Sequence, residues 1–160
     1  MVERTAGDGS TEFGVPGKAA ASELEAPDAA GLDRLINLLS SCWSGFDAVA
    51  TVAPAELRKG PRGGGRDRDP IAEHVLGAES GYSRQLGLRL NPPAYRDQPA
   101  LTVFREALIA GIRNSAAAWK PGDKGWPARY AVRRIAWHAL DHAWEIEDRS
   151  LDGAPHSRRP

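Results

Sequence analysis

The sequence predicts an all-α protein: a four-helix bundle with an irregular N-terminal extension and a short frayed C-terminal tail. Apolar residues recur at three-and-four spacing in four separate stretches, which is the mark of helices burying one face each. Breaks at Pro54, at Asn91-Pro92-Pro93 and at Pro121-Gly122 separate those stretches. Strand-like alternation is hard to find beyond the first dozen residues, and the Ala-rich composition with 5 Trp suits helices. At 160 residues the chain is one domain, large enough for a single core without staples.

Residues 1–27, rich in Gly, Ala, Ser, Thr and acids, have no apolar period and read as an extended or mobile lead-in. Residues 28–150 form the bundle and residues 151–160 the tail. Asp28 is the expected N-cap of the first helix, whose stripe is Leu32, Leu35, Ile36, Leu39, Trp43, Phe46 and Ala50. Cys42 lies beside that stripe as a small buried hydrophobe, with no Lys, Arg or His within one turn to activate it. Asp69-Pro70 is the expected start of the second helix, which runs to about Leu88 with Ile71, His74 or Val75, Ala78, Tyr82 and Leu86 inward. A third helix spans 98–119, with Leu101, Phe104, Leu108, Ile112 and Trp119 as its stripe. Trp126-Pro127 opens the last helix, which ends at Arg149 before Asp152-Gly153-Ala154-Pro155.

Charge and cysteine content exclude several classes. Lys+Arg and Asp+Glu are both 21, so the neutral chain lacks the strong basicity of a nucleic-acid-binding domain. A single Cys allows no internal disulfide, and no apolar run approaches the roughly 20 residues of a membrane span. With no signal-peptide core at the N-terminus, a cytoplasmic location away from membranes is expected.

The chemistry concentrates in Arg133 to Arg149, RRIAWHALDHAWEIEDR. His138 and His142 are four apart, which on a helix stacks their Cβ atoms about 5–6 Å apart. Glu145 falls one turn further along the same face. Neutral imidazoles so spaced can share one divalent ion, or can be buried and satisfied by ordinary hydrogen bonds. His74, on or beside the inward face of the second helix, supplies a third imidazole. Three protein ligands plus an open position is the catalytic pattern, whereas a closed structural site needs a fourth ligand, for which Glu145 or Glu79 is available. Imidazole suits Zn, Ni, Fe or Cu. Asp141 and Glu145 can orient a ligating imidazole or can be solvated or paired with Arg134 and Arg149. Tyr82, two turns along from His74, is the aromatic expected near the pocket. Trp126, Tyr130, Trp137 and Trp144 read as packing residues, and His156 in the tail belongs to no site.

The basic Gly-rich segment 58–69, RKGPRGGGRDRD, has three readings. It is a solvated connector, an RGG-like element pointing to RNA, or a flexible lip that brings Arg62 or Arg66 to an anionic co-substrate. It lacks the Gly-Lys-Ser/Thr ending of a phosphate-binding loop.

HVLGAE at 74–79 and WHALDH at 137–142 resemble the corresponding segments of the DinB/YfiT-like superfamily of four-helix-bundle metalloproteins. The resemblance covers roughly residues 29–149. It implies that His74, His138 and His142 hold a divalent metal, with Zn or Ni first and Fe or Cu next. It further implies a low-molecular-weight-thiol-dependent transferase or isomerase acting on a small electrophile; Glu145 and Tyr82, from their places beside the imidazoles, are the candidate catalytic residues. Residues 1–27 would then be the remnant of a longer ancestral arrangement. Hydrolysis by a metal-bound hydroxide is the neighbouring chemistry, and a metal-stabilised, homodimerising interaction bundle is the alternative of a different class.

Overall fold

A computed structural model describes residues 6–7, 17–60 and 63–150. Four helices carry the described chain: α1 (Ala29–Val52), α2 (Arg68–Ser83), α3 (Gln98–Ala118) and α4 (Ala128–Ser150). No strand occurs among the described residues. They pack as a four-helix bundle in which α4 touches each of the other three and packs most extensively on α1.

The start of α1 is as expected: the Asp28 side chain accepts a hydrogen bond from the Gly31 amide at 2.7 Å. Ile36, Leu39, Trp43, Phe46 and Ala50 are its buried face, with Leu32 and Leu35 half-buried at the end of the stripe. By length and composition α1 is apolar enough to cross a membrane, contrary to the sequence expectation. Its Ala, Ser and Gly positions join the Leu stripe in raising the window average, while the stripe itself lies in the bundle core.

The second helix begins two residues earlier than Asp69-Pro70 suggests. Asp67 occupies the N-cap position, and Ile71 N–H closes the first turn on its carbonyl at 3.0 Å. Pro70 falls within the first turn, where its missing N–H has no partner to lose. Asp69 instead binds Arg68 at 2.7 Å and Arg96 at 2.9 Å. The helix ends at Ser83, passes through a 3-10 turn (Arg84–Leu86), and stops at Gly87, whose φ of 75° is left-handed. Its most buried side chains, Ile71, Ala72, Val75, Leu76, Glu79 and Ser83, form a face rotated from the predicted one. Ala78 and Tyr82 are half-buried beside that face.

Asp97 caps α3 by accepting from the Ala100 amide at 3.1 Å, and Leu101, Phe104, Leu108 and Ile112 are buried as expected. Trp119 lies just past the helix end and is only half-buried. Before α4, Gly125 (φ 92°) lets the chain pass so close to the 3-10 turn after α2 that a Cβ there would sit 2.4 Å from the Gln85 carbonyl oxygen. The same carbonyl accepts from Trp126 N–H at 3.0 Å, which seats Trp126 against Tyr82.

The described part of the N-terminal segment is docked rather than extended. Ala21–Glu23 forms a 3-10 turn, and Glu23 is buried against Arg133 of α4, which also donates to the Lys18 carbonyl at 2.9 Å. Residues 151–160, including His156, lie outside the described residues.

Candidate metal centre

Sequence spacing places His138 and His142 one turn apart on α4, and helix packing brings His74 of α2 against both. The ring centroids are 4.6 Å apart for His138–His142, 4.9 Å for His74–His142 and 5.3 Å for His74–His138. One nitrogen from each imidazole lies within 4.8 Å of the other two. Nitrogens around one tetrahedral ion stand about 3.3 Å apart, so a modest closing of three side chains would complete coordination. The donor set fits such an ion on a second ground. Nδ1 of His138 is buried and has no hydrogen-bond partner, a state that ordinary core histidines avoid.

Burial favours the neutral form of His138 and His74. His138 is 7% exposed, and desolvation, then the neighbouring His142, His74 and Arg134, pull its pKa down to about 3. Desolvation also lowers His74, assisted by Arg66 and His142. Neutral imidazole is the form a metal takes.

Glu145 stands beside this set and acts through His142. It accepts a hydrogen bond from His142 Nδ1 at 2.7 Å, and its other oxygen accepts from Arg149 at 2.7 Å. Nδ1 being so engaged, Nε2 is the lone pair His142 has left to offer. Arg149 is itself held, donating to the Arg58 carbonyl at 2.8 Å, and the Arg58 amide donates back to the Arg149 carbonyl at 3.0 Å. Gly65 (φ 118°) lies on the same guanidinium, so close that a Cβ would meet Arg149 at 2.7 Å. The Gly-rich loop is thereby set against the end of α4.

Tyr82 packs edge-on to His138 with centroids 5.8 Å apart, and burial raises its phenol pKa above the ordinary value. Arg134 stacks over both Tyr82 (5.1 Å) and Trp137 (4.8 Å). Of the expected packing aromatics, Tyr130 is buried and Trp126 half-buried, whereas Trp144 is 61% exposed because it lies off the inward stripe of Ala139, Ala143 and Ile146. Arg66 is exposed on the loop and its charge reaches His74, while Arg62 lies outside the described residues.

Glu79, a candidate fourth ligand in the sequence, is turned the other way. It is fully buried and accepts from Trp43 Nε1 at 2.7 Å, outside the three-His group. Asp141 is exposed, in line with its solvated reading. Arg134 and Arg149 gave no site signal of their own, although the Glu145-to-Arg149 spacing of four was a pairing cue.

No protein-family model, curated protein or solved structure matches this chain.

Proposed function

We propose that this protein is a divalent-metal-dependent enzyme of the DinB-like kind, transferring or isomerising a small electrophile with a low-molecular-weight thiol. The observation that carries the reading is the convergence of three imidazoles from two helices, one with an unpartnered buried nitrogen. His74, His138 and His142 would hold the ion, which when bound supplies a Lewis-acidic position that lowers the pKa of a thiol or water.

The chain's own residues set the conditions for that chemistry. Glu145 fixes the tautomer and orientation of His142, and Arg149 fixes Glu145. Tyr82 stays a protonated phenol near neutrality, a neutral donor at the edge of the site. Val75, next to His74, and Ala139, next to His138, are buried in the bundle core.

Elemental analysis of purified protein, followed by a screen of small thiols for spectral change in the Co2+-loaded form, tests the reading. Stoichiometric metal with a thiolate-to-cobalt charge-transfer band supports it; metal-free protein that accepts no added Co2+ refutes it. The second reading, a non-catalytic metal-stabilised interaction bundle, draws on the exposed apolar side chains of Leu38 (56%), Val103 (65%) and Trp144 (61%). It predicts metal without thiol binding, together with concentration-dependent dimerisation.

A further inference from the structure

The groups around the three imidazoles are unbalanced in charge. Glu145 is the carboxylate in contact with the set, and both its oxygens are committed, one to His142 and one to Arg149. Two further guanidiniums border the site. Arg134 lies flat over Tyr82 and Trp137, beside His138. Arg66 follows Gly65, which packs on Arg149. Arg58, Arg68, Arg96, Arg105, Arg113, Arg133 and Arg149 are paired with acids; Arg66 and Arg134, like Arg34, Arg84, Arg89 and Arg129, have no such partner among the described residues. NH1 of Arg134 is shut off from solvent and has no acceptor at all.

A buried N–H of a permanently charged group without an acceptor is costly, and stacking on two rings supplies none. A bound ion would add positive charge to a centre whose protein ligands are neutral. We infer that the centre takes an anionic small molecule whose carboxylate is received by Arg134, with Arg66, whose charge reaches His74 from the Gly-rich loop, adding attraction from the other side. Arg134 suits this role because its guanidinium is placed over Tyr82 and Trp137 and the half-buried side chain keeps part of its surface for a carboxylate. Arg66 is carried there by the preceding glycines: Gly63 (φ 73°) and Gly65 (φ 118°) take conformations that side-chain-bearing residues rarely adopt. This subsite rests on the proposed metal centre for its position, and defines the substrate class more narrowly than a thiol alone.

The test uses two thiols of similar size on the full-length, Co2+-loaded protein: 3-mercaptopropionate, which carries a carboxylate, and 2-mercaptoethanol, which does not. Each is followed by the thiolate-to-cobalt band. The wild type should bind the first at least about tenfold more tightly. Arg134→Gln should bring the two level, Arg134→Lys should restore part of the difference, and Arg66→Gln should reduce it by a smaller factor. Metal content and helical circular dichroism should be unchanged in all three. Equal binding of the two thiols by wild type, or a preference that survives in the Arg66→Gln/Arg134→Gln double variant, overturns the subsite while leaving the metal-thiol reading intact. If neither thiol produces the band, the metal-thiol reading fails, and a second titration decides the subsite. Propionate added at constant ionic strength should change tryptophan fluorescence, since Trp137 lies under Arg134, and the change should vanish in Arg134→Gln. An identical response of wild type and Arg134→Gln to propionate overturns the anion subsite.

Discussion

The bundle holds two buried polar groups whose surroundings are opposite in kind. At the three-His centre, imidazoles from α2 and α4 face one another, and His138 Nδ1 has no protein partner. Glu79, on the same helix as His74, also has an unpartnered oxygen, Oε2, but its other oxygen and its charge are met by residues of other helices. Trp43 of α1 donates to it, Arg105 of α3 lies near it, and Arg105 in turn makes two hydrogen bonds to Asp47 of α1, at 2.6 and 3.0 Å. Both places reject charge. Desolvation drives His138 down to about 3 and Glu79 up to about 7. The outcome differs because a neutral imidazole keeps an exposed lone pair, whereas a neutral carboxyl keeps a proton. The first arrangement offers a donor to a ligand. The second ties three helices together.

Four experiments break or sharpen this contrast. The largest effect should be on metal content. His138→Ala/His142→Ala should fall from one ion per chain to almost none and His74→Ala well below one, with Glu79→Gln unchanged, as read by elemental analysis. Full occupancy in the double variant would remove the centre.

Stability should show the reverse preference. Glu79→Ala strands the Trp43 N–H and opens space in the core, at a cost of about 2–4 kcal/mol by denaturant melt. Glu79→Gln keeps an acceptor for Trp43 and should cost about 1 kcal/mol or less. Equal losses in the two variants would mean that Glu79 serves packing alone.

The third experiment is the pH dependence of apo-protein stability. The folded pKa of His138 is depressed, so the unfolded chain binds its proton first as pH falls. Its contribution is complete above about 6.5 and is lost between there and about 3. The folded pKa of Glu79 is raised from 4.5 to about 7, so its contribution is complete below 4.5 and is lost as pH rises to about 7. Between 4.5 and 6.5 the two slopes, each about 1.4 kcal/mol per pH unit, oppose one another. Glu79→Gln should expose the histidine slope, giving a stability that rises with pH where the wild type is nearly flat. A wild-type curve that already rises as steeply would show that Glu79 is ionised in the fold.

The smallest effect should come from the loop. Gly65→Ala places a Cβ on the Arg149 guanidinium, which should shift it from Glu145 and so weaken the hold on His142. Metal affinity should weaken by about tenfold, the usual consequence of disturbing a ligand's outer partner. Unchanged affinity would show that Glu145 orients His142 without help from Arg149.

Much of the bundle was legible because the helical period is a property of the residues themselves. The α1 stripe through Trp43 and Ala50, and the α3 stripe from Leu101 to Ile112, are buried where spacing put them. His138 and His142 share a face for the same reason. The start of α2 was misread because a Pro fits any position of the first turn, so Asp69-Pro70 does not distinguish a cap from the residues after it. The burial of Glu79 could not be read at all, since it depends on Trp43 and Arg105, which are 36 and 26 residues away along the chain. Arg134 was equally silent, because only the fold shows that Tyr82 and Trp137 offer it two ring faces.

The position of α4, in contact with every other helix and bearing two of the three imidazoles, bears on how this chain can vary in length. One residue inserted between His138 and His142 would turn one ring about 100° away from the other, and every buried contact beyond it would turn too. A residue inserted at Gly63 or Gly64, where an added Cβ meets nothing within 4 Å, would disturb the hydrogen bonds these two make to Gly60 rather than the helices. Length is therefore fixed in α4 and free in the loop, so a change of loop length could alter what enters the site while leaving the three imidazoles in register.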